Sequence, residues 1–284
     1  MLPISADKQN ASLKFIGLTK MIHFASTNEI ISQPLHYGML QPGYQPGIHL
    51  TLQDTTQNLQ HLLEGRVEVG VISALDYARN SIELKLIKEI AVWSGGVTRY
   101  ALLFFQANLS RFQQVAAFQK DSQYQVLTDL LFKEYFEMEL DWYYPPENGT
   151  LDTMLELYQA CLLEKDEALN NYFKSDNYLD IVEDWCDKTD LNFIHQVVAC
   201  PRELNETNFV ESLLLSRELG MRNLMTIAKD YAVDKEPGWD VYFDLLNEHF
   251  SFFPQQDTWE GLKQYYEFLF YHGVIDSIPE LHFV

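Results

Sequence analysis

The spacing of apolar and polar positions changes once along the chain, near residue 200. Up to about residue 200, short apolar runs alternate with longer stretches of helical spacing, which is typical of βαβ units around a mainly parallel sheet. The short runs predict strands at residues 21–25, 49–52, 67–72, 89–92, 100–105, 114–118, 140–144 and 192–200. Beyond Pro201 the spacing is helical only, and it predicts helices at residues 206–219, 221–231, 239–249 and 258–272.

This order predicts an α/β protein of two lobes. We place the first crossing between the lobes at Gly95 and Gly96, so that residues 1–95 and 201–284 form one lobe and residues 96–200 the other. The helical tail after Pro201 is expected to pack back on the first lobe.

Two further helices are predicted from local signals. Ser26 and Glu29 have the spacing of a capping box that would open a helix extending to Gly38. Residues 151–162 carry apolar side chains at helical spacing, which predicts one continuous helix there.

Length and composition support two separate cores. The chain has 284 residues, of which 47% are hydrophobic and 14% aromatic. That length exceeds the usual single domain of about 100–200 residues, and the apolar content is sufficient to offset the entropy cost of folding. Intrinsic disorder is therefore not expected.

The charge narrows the choice of partners. The formal net charge is -21, from 41 acidic and 20 basic residues. Such a field repels phosphate backbones and anionic lipid headgroups, so neither nucleic acid nor a membrane is expected as a partner. A small anionic ligand would need a local cluster of donors and cations.

Cysteine usage and the first residues indicate the cytoplasm. Cys161, Cys186 and Cys200 are widely spaced and odd in number, which fits reduced thiols. Residues 1–20 lack the apolar centre of a signal peptide, and the apolar runs are too short for a membrane span. No His or Cys pair has the spacing of a metal site, so we expect neither a metal nor another cofactor.

Several short stretches carry a combined signal that none of them carries alone. They are residues 34–38 (PLHYG), 63–78 (LEGRVEVGVISALDYA), 95–104 (GGVTRYALLF), 166–169 (DEAL), 183–185 (EDW), 189–194 (TDLNFI), 216–220 (SRELG) and 261–266 (GLKQYY). In that order they resemble the chorismate dehydratase family of futalosine-pathway menaquinone biosynthesis, over roughly residues 21–276. The resemblance implies a type II periplasmic-binding-protein-like fold with C-terminal helices and a ligand cleft between the lobes.

The chain departs from the family pattern where the resemblance places the chemistry. The family's Asn in the first loop corresponds to Ile31 by direct counting, or to Asn28 with a gap. Its hinge-strand Ser corresponds to Arg99 or Tyr100, which leaves Thr98 as the nearest hydroxyl.

Two other family segments also differ. The family's helix cap of hydroxyl residues is represented by residues 121–124, Asp-Ser-Gln-Tyr. Lys165 replaces the family's Gly immediately before Asp166. The departures make this chain a divergent member by its sequence.

The predicted ligand site combines strand ends and helix starts from both lobes. Its residues are Asn28, Ser73, Thr98, Arg99, Ser122, Gln123 and Tyr124. Unpaired N–H donors at helix starts suit an anion, and an Arg can hold a carboxylate through two parallel hydrogen bonds. We assign no catalytic residue from the sequence.

Each of these assignments has a plainer alternative. Ser73 and Ser122 could act as ordinary helix caps, and Arg99 could pair with a structural acid. Asp166 could simply start a helix, and we favour that role. His195, on a predicted buried strand, is a candidate base, but a satisfied core histidine is the more common case.

The functional hypotheses follow from the resemblance and its departures. One is a carbon–oxygen lyase like chorismate dehydratase, which removes water from an enolpyruvyl dicarboxylate. The others are a non-catalytic cytoplasmic protein that binds a small ligand, and an enzyme acting on a different small acid. All three have a small carboxylate as the expected partner, and the sequence leaves the oligomeric state open.

Overall fold

The computed structural model describes residues 21–44, 47–107, 109, 111–145, 149–205 and 207–284. Residues 1–20, on which the predicted lack of a signal peptide rests, lie outside this part of the chain. The described strands form two five-stranded sheets, and helices cover both. The two-lobed α/β architecture expected from the sequence is therefore present.

The first sheet has the strand order β2-β1-β3-β10-β4. Its strands are β1 (Ile22–Ser26), β2 (Ile48–Leu52), β3 (Val69–Ser73), β4 (Leu84–Ser94) and β10 (Phe193–Pro201). β1 is parallel to β2 and β3, whereas β10 is antiparallel to β3 and β4. β3 is buried except at Ser73, which fits its uninterrupted apolar run.

The second sheet has the order β7-β6-β8-β5-β9. Its strands are β5 (Ala101–Phe105), β6 (Gln114–Ala117), β7 (Asp141–Tyr143), β8 (Ala160–Glu164) and β9 (Tyr178–Asp180). β6 is parallel to β7 and β8, whereas β5 is antiparallel to β8 and β9. Both sheets are thus mixed, which corrects the prediction of a mainly parallel sheet. β5 and β10, the first strands after the chain crosses from one sheet to the other, run antiparallel to both of their neighbours.

The described helices lie between and around these strands. They are α1 (Gln33–His36), α2 (Thr55–Leu63), α3 (Ala74–Asn80), α4 (Gln123–Tyr135), α5 (Leu151–Leu157), α6 (Asp166–Leu169), α7 (Ile181–Thr189), α8 (Phe209–Met221), α9 (Leu224–Tyr231), α10 (Trp239–Asp244) and α11 (Gln256–Tyr271). None of the helices in the described ranges is long and apolar enough to cross a membrane.

Two predicted helices differ from those observed. The helix predicted to begin after Ser26 is a 3-10 turn at Ile30–Ser32, the short α1 and a second 3-10 turn at Tyr37–Leu40. Ser26 instead ends β1, and its Oγ lies 2.8 Å from Nδ1 of the buried His36. The predicted helix at 151–162 ends at Leu157, and β8 follows, because Tyr158 leaves helical geometry at φ -126° and ψ 156°.

The helical tail packs on the first sheet. The Tyr266 hydroxyl of α11 donates to the Ala74 carbonyl over 2.9 Å. α8 packs against α1 so closely that a Cβ added to Gly220 would lie 2.1 Å from the Pro34 oxygen. Only glycine permits this approach of two backbones, so the match at residues 216–220 has a packing reason here.

The second sheet buries both of its faces. Along β5, Ala101 and Leu103 belong to the main core, while Leu102 and Phe104 belong to a smaller cluster on the opposite face. Successive side chains of a strand point to opposite faces, so this split follows from the continuous apolar sequence of β5.

The division of the chain into lobes at residues 95 and 200 stays a prediction. The predicted second lobe extends to residue 200, but β10 (Phe193–Pro201) pairs within the first sheet and not within the second.

Candidate functional site between the two sheets

A cavity of about 70 Å³ lies where strand ends of the first sheet face the start of α4 and the end of β8. It is lined by Glu29, Thr55, Thr56, Ser73, Leu75, Asp76, Gln119, Asp121, Ser122, Gln123, Tyr124, Glu164, Lys165, His195 and Gln196. A space of this size holds a few water molecules. A larger ligand therefore requires the facing walls to separate.

Ser73 contributes a helix start from the first lobe. It follows β3, and its Oγ accepts the Asp76 N–H over 2.9 Å as the N-cap of α3. Burial raises the pKa of the nearby Asp76 carboxyl, while hydrogen bonds from Ser73 act in the opposite direction. Ser73 caps α3 and also lines the cavity, and its predicted ligand role stays a prediction.

Ser122 contributes the equivalent position from the second lobe. Its Oγ accepts the Gln125 N–H over 3.0 Å as the N-cap of α4, and its hydroxyl donates to the Glu164 carboxylate in a very short hydrogen bond. The sequence predicted this cap. The link to Glu164 on β8 was not predicted.

Gln123 joins the two lobes. Its Oε1 accepts the Ala74 N–H over 3.1 Å, and its Nε2 donates to the His195 carbonyl over 2.9 Å. Both partners belong to the first lobe by strand pairing and helix position, whereas Gln123 begins α4. The side-chain amide is therefore engaged across the cleft at both of its ends.

Tyr124 completes a buried chain of polar groups. Its hydroxyl lies 2.8 Å from His195 Nδ1, and His195 Nε2 lies 2.8 Å from the Ser94 hydroxyl. Burial lowers the pKa of His195 to about 3, so the ring is neutral at physiological pH. With both ring nitrogens bonded and the side chain 1% exposed, His195 has the character of a satisfied core histidine.

Glu164 is a carboxyl of the cavity that ionises near neutrality. It ends β8, is half-buried, and lines the cavity. Burial raises its pKa to about 7, the Ser122 hydroxyl and Lys165 act to lower it, and the charge of Glu29 raises it further. A carboxyl in this range can both donate and accept a proton at neutral pH.

Lys165 is the one cation among the residues that line the cavity. Its backbone has φ 60° and ψ -136°, a region that side chains rarely adopt and that glycine occupies readily. Burial acts to lower the pKa of its ammonium, but the carboxylates of Glu29 and Glu164 outweigh burial and raise it. Lys165 thus remains charged inside the cleft.

Glu29 faces Lys165 from the first lobe. Its Oε1 lies 2.8 Å from Lys165 Nζ, and its Oε2 accepts Gln196 Nε2–H over 2.9 Å and, more weakly, the Tyr100 hydroxyl over 3.4 Å. The Glu29 side chain is only 16% exposed. This carboxylate therefore has donors from both sheets around it.

Thr98 and Arg99 lie outside the lining of the cavity. Their backbone N–H groups donate to Asp180 Oδ2 over 2.7 and 2.6 Å, and the Thr98 hydroxyl also donates to this carboxylate. The Arg99 guanidinium stacks over Tyr172 at 5.0 Å and lies 3.9 Å from Asp244. The plainer alternative, pairing with a structural acid, describes their contacts, and their predicted ligand role stays a prediction.

Asn28 and Asp166 also lie beside the cavity instead of in it. Asn28 lines a separate hollow of about 560 Å³ with residues of α9, including Tyr231. Asp166 starts α6 and accepts the Tyr231 hydroxyl over 2.9 Å and the Lys235 ammonium over 3.0 Å. The favoured structural role of Asp166 matches these contacts.

The sequence thus predicted part of the cavity lining, on both of its walls. Ser73, Ser122, Gln123 and Tyr124 come together there, while Glu29, Glu164, Lys165 and Gln196 were not predicted as site residues. Lys165 carried a signal, since it replaces a family glycine.

The cavity is acidic overall, with Glu29, Asp76, Asp121 and Glu164 around Lys165. Within the described ranges, no group of three His, Cys, Asp or Glu side chains has the arrangement of a metal site. Carboxylates accept hydrogen bonds from hydroxyl groups, so the arrangement suits a ligand that carries hydroxyl or amino donors.

Comparison with known proteins places this geometry in a context. A family model described as menaquinone biosynthesis matches residues 24–271. A solved structure from Archaeoglobus fulgidus superposes with a TM-score of 0.72 at 15% identity, covering 89% of this chain and 98% of its own.

Two further solved structures carry the name of the fold. The periplasmic aliphatic sulphonate binding protein of Escherichia coli has a TM-score of 0.66 at 11% identity, covering 91% of this chain and 89% of its own. A Candida albicans gene product, described as having the generic periplasmic binding protein fold, has a TM-score of 0.61 at 11% identity, with 92% of both chains covered. The fold expected from the resemblance, including its C-terminal helices, is confirmed.

Proposed function

The chain belongs to the menaquinone biosynthesis family, and from this premise we propose that it binds a small hydroxylated carboxylate in the cavity between its sheets and eliminates water from it, as chorismate dehydratase does. The observation that carries the proposal is the shared cavity of Ser73, Ser122, Gln123 and Tyr124, with one ammonium and one carboxyl of near-neutral pKa beside them.

The parts of the cavity suit such an elimination. Lys165 supplies a cation for a carboxylate of the ligand, and the Ser73 and Ser122 hydroxyls supply donors and acceptors. Elimination of water breaks a C–H bond and a C–O bond, so one proton leaves carbon and one is given to the departing hydroxyl. Glu164, with its pKa raised to about 7, can take up the proton from carbon as a carboxylate and deliver it to the hydroxyl as an acid. Closure of the lobes would exclude water and align the ligand's own carboxylates.

Incubation with chorismate tests the proposal. We expect a product lighter by the mass of one water, detected by mass spectrometry, and slower formation by Glu164→Gln than by the wild type. Glu156→Gln, a change at an exposed helix position away from the cavity, is the matched control. Wild-type protein that leaves chorismate unchanged and is not stabilised by it would refute the lyase assignment.

A second candidate is a binding protein without catalysis. It is favoured by the position of Thr98 and Arg99 outside the cavity and by solved neighbours that are named as sulphonate binding proteins. On this reading chorismate or another small acid stabilises the fold without turnover. The stabilisation expected at about 100 times the dissociation constant is about 2.7 kcal/mol.

A further inference from the structure

We propose that Glu29 occupies the place of the ligand's carboxylate in the empty protein, and that binding exchanges Glu29 for that carboxylate on Lys165. The inference rests on the proposed function, because it concerns how the same cavity takes a small acid. It assigns a specificity-determining role to two residues that belong to different lobes.

The position of Lys165 is the first support. A residue with a side chain holds a backbone conformation that glycine adopts without strain, and the ammonium it carries is the one cation in the cavity lining. Strain of this kind persists where the surroundings enforce it, and it concentrates at ligand sites. The strained backbone at position 165 therefore brings a charged side chain to the cavity.

The contacts of Glu29 are the second support. Its carboxylate is held by the Lys165 ammonium, the Gln196 amide and the Tyr100 hydroxyl. Gln196 is itself oriented, since its Oε1 accepts the Ser32 hydroxyl over 2.6 Å. These donors form a preorganised carboxylate receptor, and the chain's own side chain fills it.

Charge balance gives the direction of the exchange. Lys165 has three donors, and Glu29 takes one of them at 2.8 Å. A ligand carboxylate that entered with Glu29 still in place would meet a second negative charge at contact distance, inside a cavity that already contains Glu164 and Asp76. Displacement of Glu29 toward solvent removes this repulsion, and it also releases one of the contacts that join the lobes.

The test compares binding of benzoate and of benzamide, which differ in charge at similar shape, by isothermal titration calorimetry. Glu29→Gln removes the resident charge and keeps the side-chain size, so its affinity for benzoate should rise about tenfold over wild type while its affinity for benzamide stays the same. The double variant Glu29→Gln with Lys165→Met should lose this gain. Glu156→Gln, which changes the net charge equally on an exposed face, should bind like wild type.

Equal or weaker benzoate binding by Glu29→Gln, including no measurable binding, would overturn the exchange, since Glu29 would then serve only to position Lys165. An equal rise for benzamide, or an equal rise in Glu156→Gln, would overturn it as well. If Glu29→Gln does not fold, Glu29→Asp withdraws the carboxylate from Lys165 by one methylene, and a rise in benzoate affinity is again the supporting result and no rise the contrary one.

The outcome is separable from that of the proposed function. Chorismate turnover by the wild type with no gain for Glu29→Gln would retain the lyase and refute the exchange. A gain for benzoate with chorismate left unbound and unchanged would retain the exchange and refute the lyase.

Discussion

Glu164→Gln should make the protein more stable at alkaline pH than the wild type, and by an amount that depends on pH. The ordinary pKa of this carboxyl is 4.5, and burial raises it to about 7 in the folded protein. Between these values the folded state holds a proton that the unfolded chain has released. Wild-type stability therefore falls as pH rises through this interval, and the loss is complete above pH 7.

The magnitude follows from the two pKa values. At about 1.36 kcal/mol per pH unit, the interval from 4.5 to about 7 corresponds to about 3 kcal/mol, and water in the cavity reduces this figure. Over the part of the interval above pH 5.5, the expected change is about 2 kcal/mol. Glutamine keeps the size of the side chain and an oxygen that accepts the Ser122 hydroxyl. The variant therefore differs from the wild type mainly because its side chain at position 164 does not ionise.

Urea unfolding of both proteins at a series of pH values from 5.5 to 8.5 measures the effect. The stability of Glu164→Gln relative to wild type should rise by about 2 kcal/mol across the series and level off near pH 8. Glu156→Gln, at an exposed position of α5, should show a constant difference. A constant difference for Glu164→Gln too would mean that Glu164 is already ionised in the folded protein at pH 5.5, which would refute the reasoning.

Ser122→Ala extends the same argument to the partner group. The Ser122 hydroxyl favours the charged form of Glu164, so its removal should raise the Glu164 pKa and move the decline in stability to higher pH. The lost cap of α4 adds a decrease of about 1 kcal/mol that does not depend on pH.

Three further predictions concern contacts that do not involve Glu164. Each is a loss in the free energy of unfolding, measured from the midpoint of urea unfolding. Gly220→Ala should cost about 2–3 kcal/mol, because its Cβ would meet the Pro34 oxygen, whereas Gly96→Ala, with nothing within 4 Å, should be close to neutral. Asp180→Ala should cost about 3 kcal/mol, because four backbone N–H groups lose their acceptor; Asp187→Ala, exposed on the same helix, should change little. Gln123→Met should cost about 2 kcal/mol by leaving the Ala74 N–H and the His195 carbonyl unpaired, while Gln119→Met at the exposed rim should not. Retention of wild-type stability in the first-named variant of any pair would show that its contact is not made in solution.

The sequence predicted those elements whose pattern is local. β3 could be found because three of the four residues from Val69 to Ile72 are apolar and β-branched, which is typical of a strand buried on both faces. β8 was missed because Leu162 continues the helical spacing of Met154 and Leu155, and periodicity does not separate a short buried strand from the end of a helix. Ser122 could be found as a cap because the signal lies within three residues of it.

The missed parts of the site depend on distant pairs. Thr98 and Arg99 have the residue types expected of a carboxylate site. The acceptor that takes their N–H groups is Asp180, which ends β9 of the second sheet and is distant in the sequence. Glu29 and Lys165 meet across the cleft from strand ends of different sheets. No local spacing in the sequence predicts either pairing. The sequence has one signal for this part of the site, which is Lys165 at a position where the family has a glycine.

The acidic cavity also bears on which acids it can take. A dianionic ligand would bring two negative charges to a site where burial already keeps Glu164 partly protonated. To bind, such a ligand must displace Glu29 from Lys165, and Glu164 must be neutral. Binding of such a ligand should then take up a proton near pH 7, which calorimetry in buffers of different ionisation enthalpy would detect. A ligand with a single carboxylate and several hydroxyl groups avoids that requirement, because the exchange with Glu29 keeps the charge of the cavity constant and the remaining carboxylates accept its hydroxyl protons.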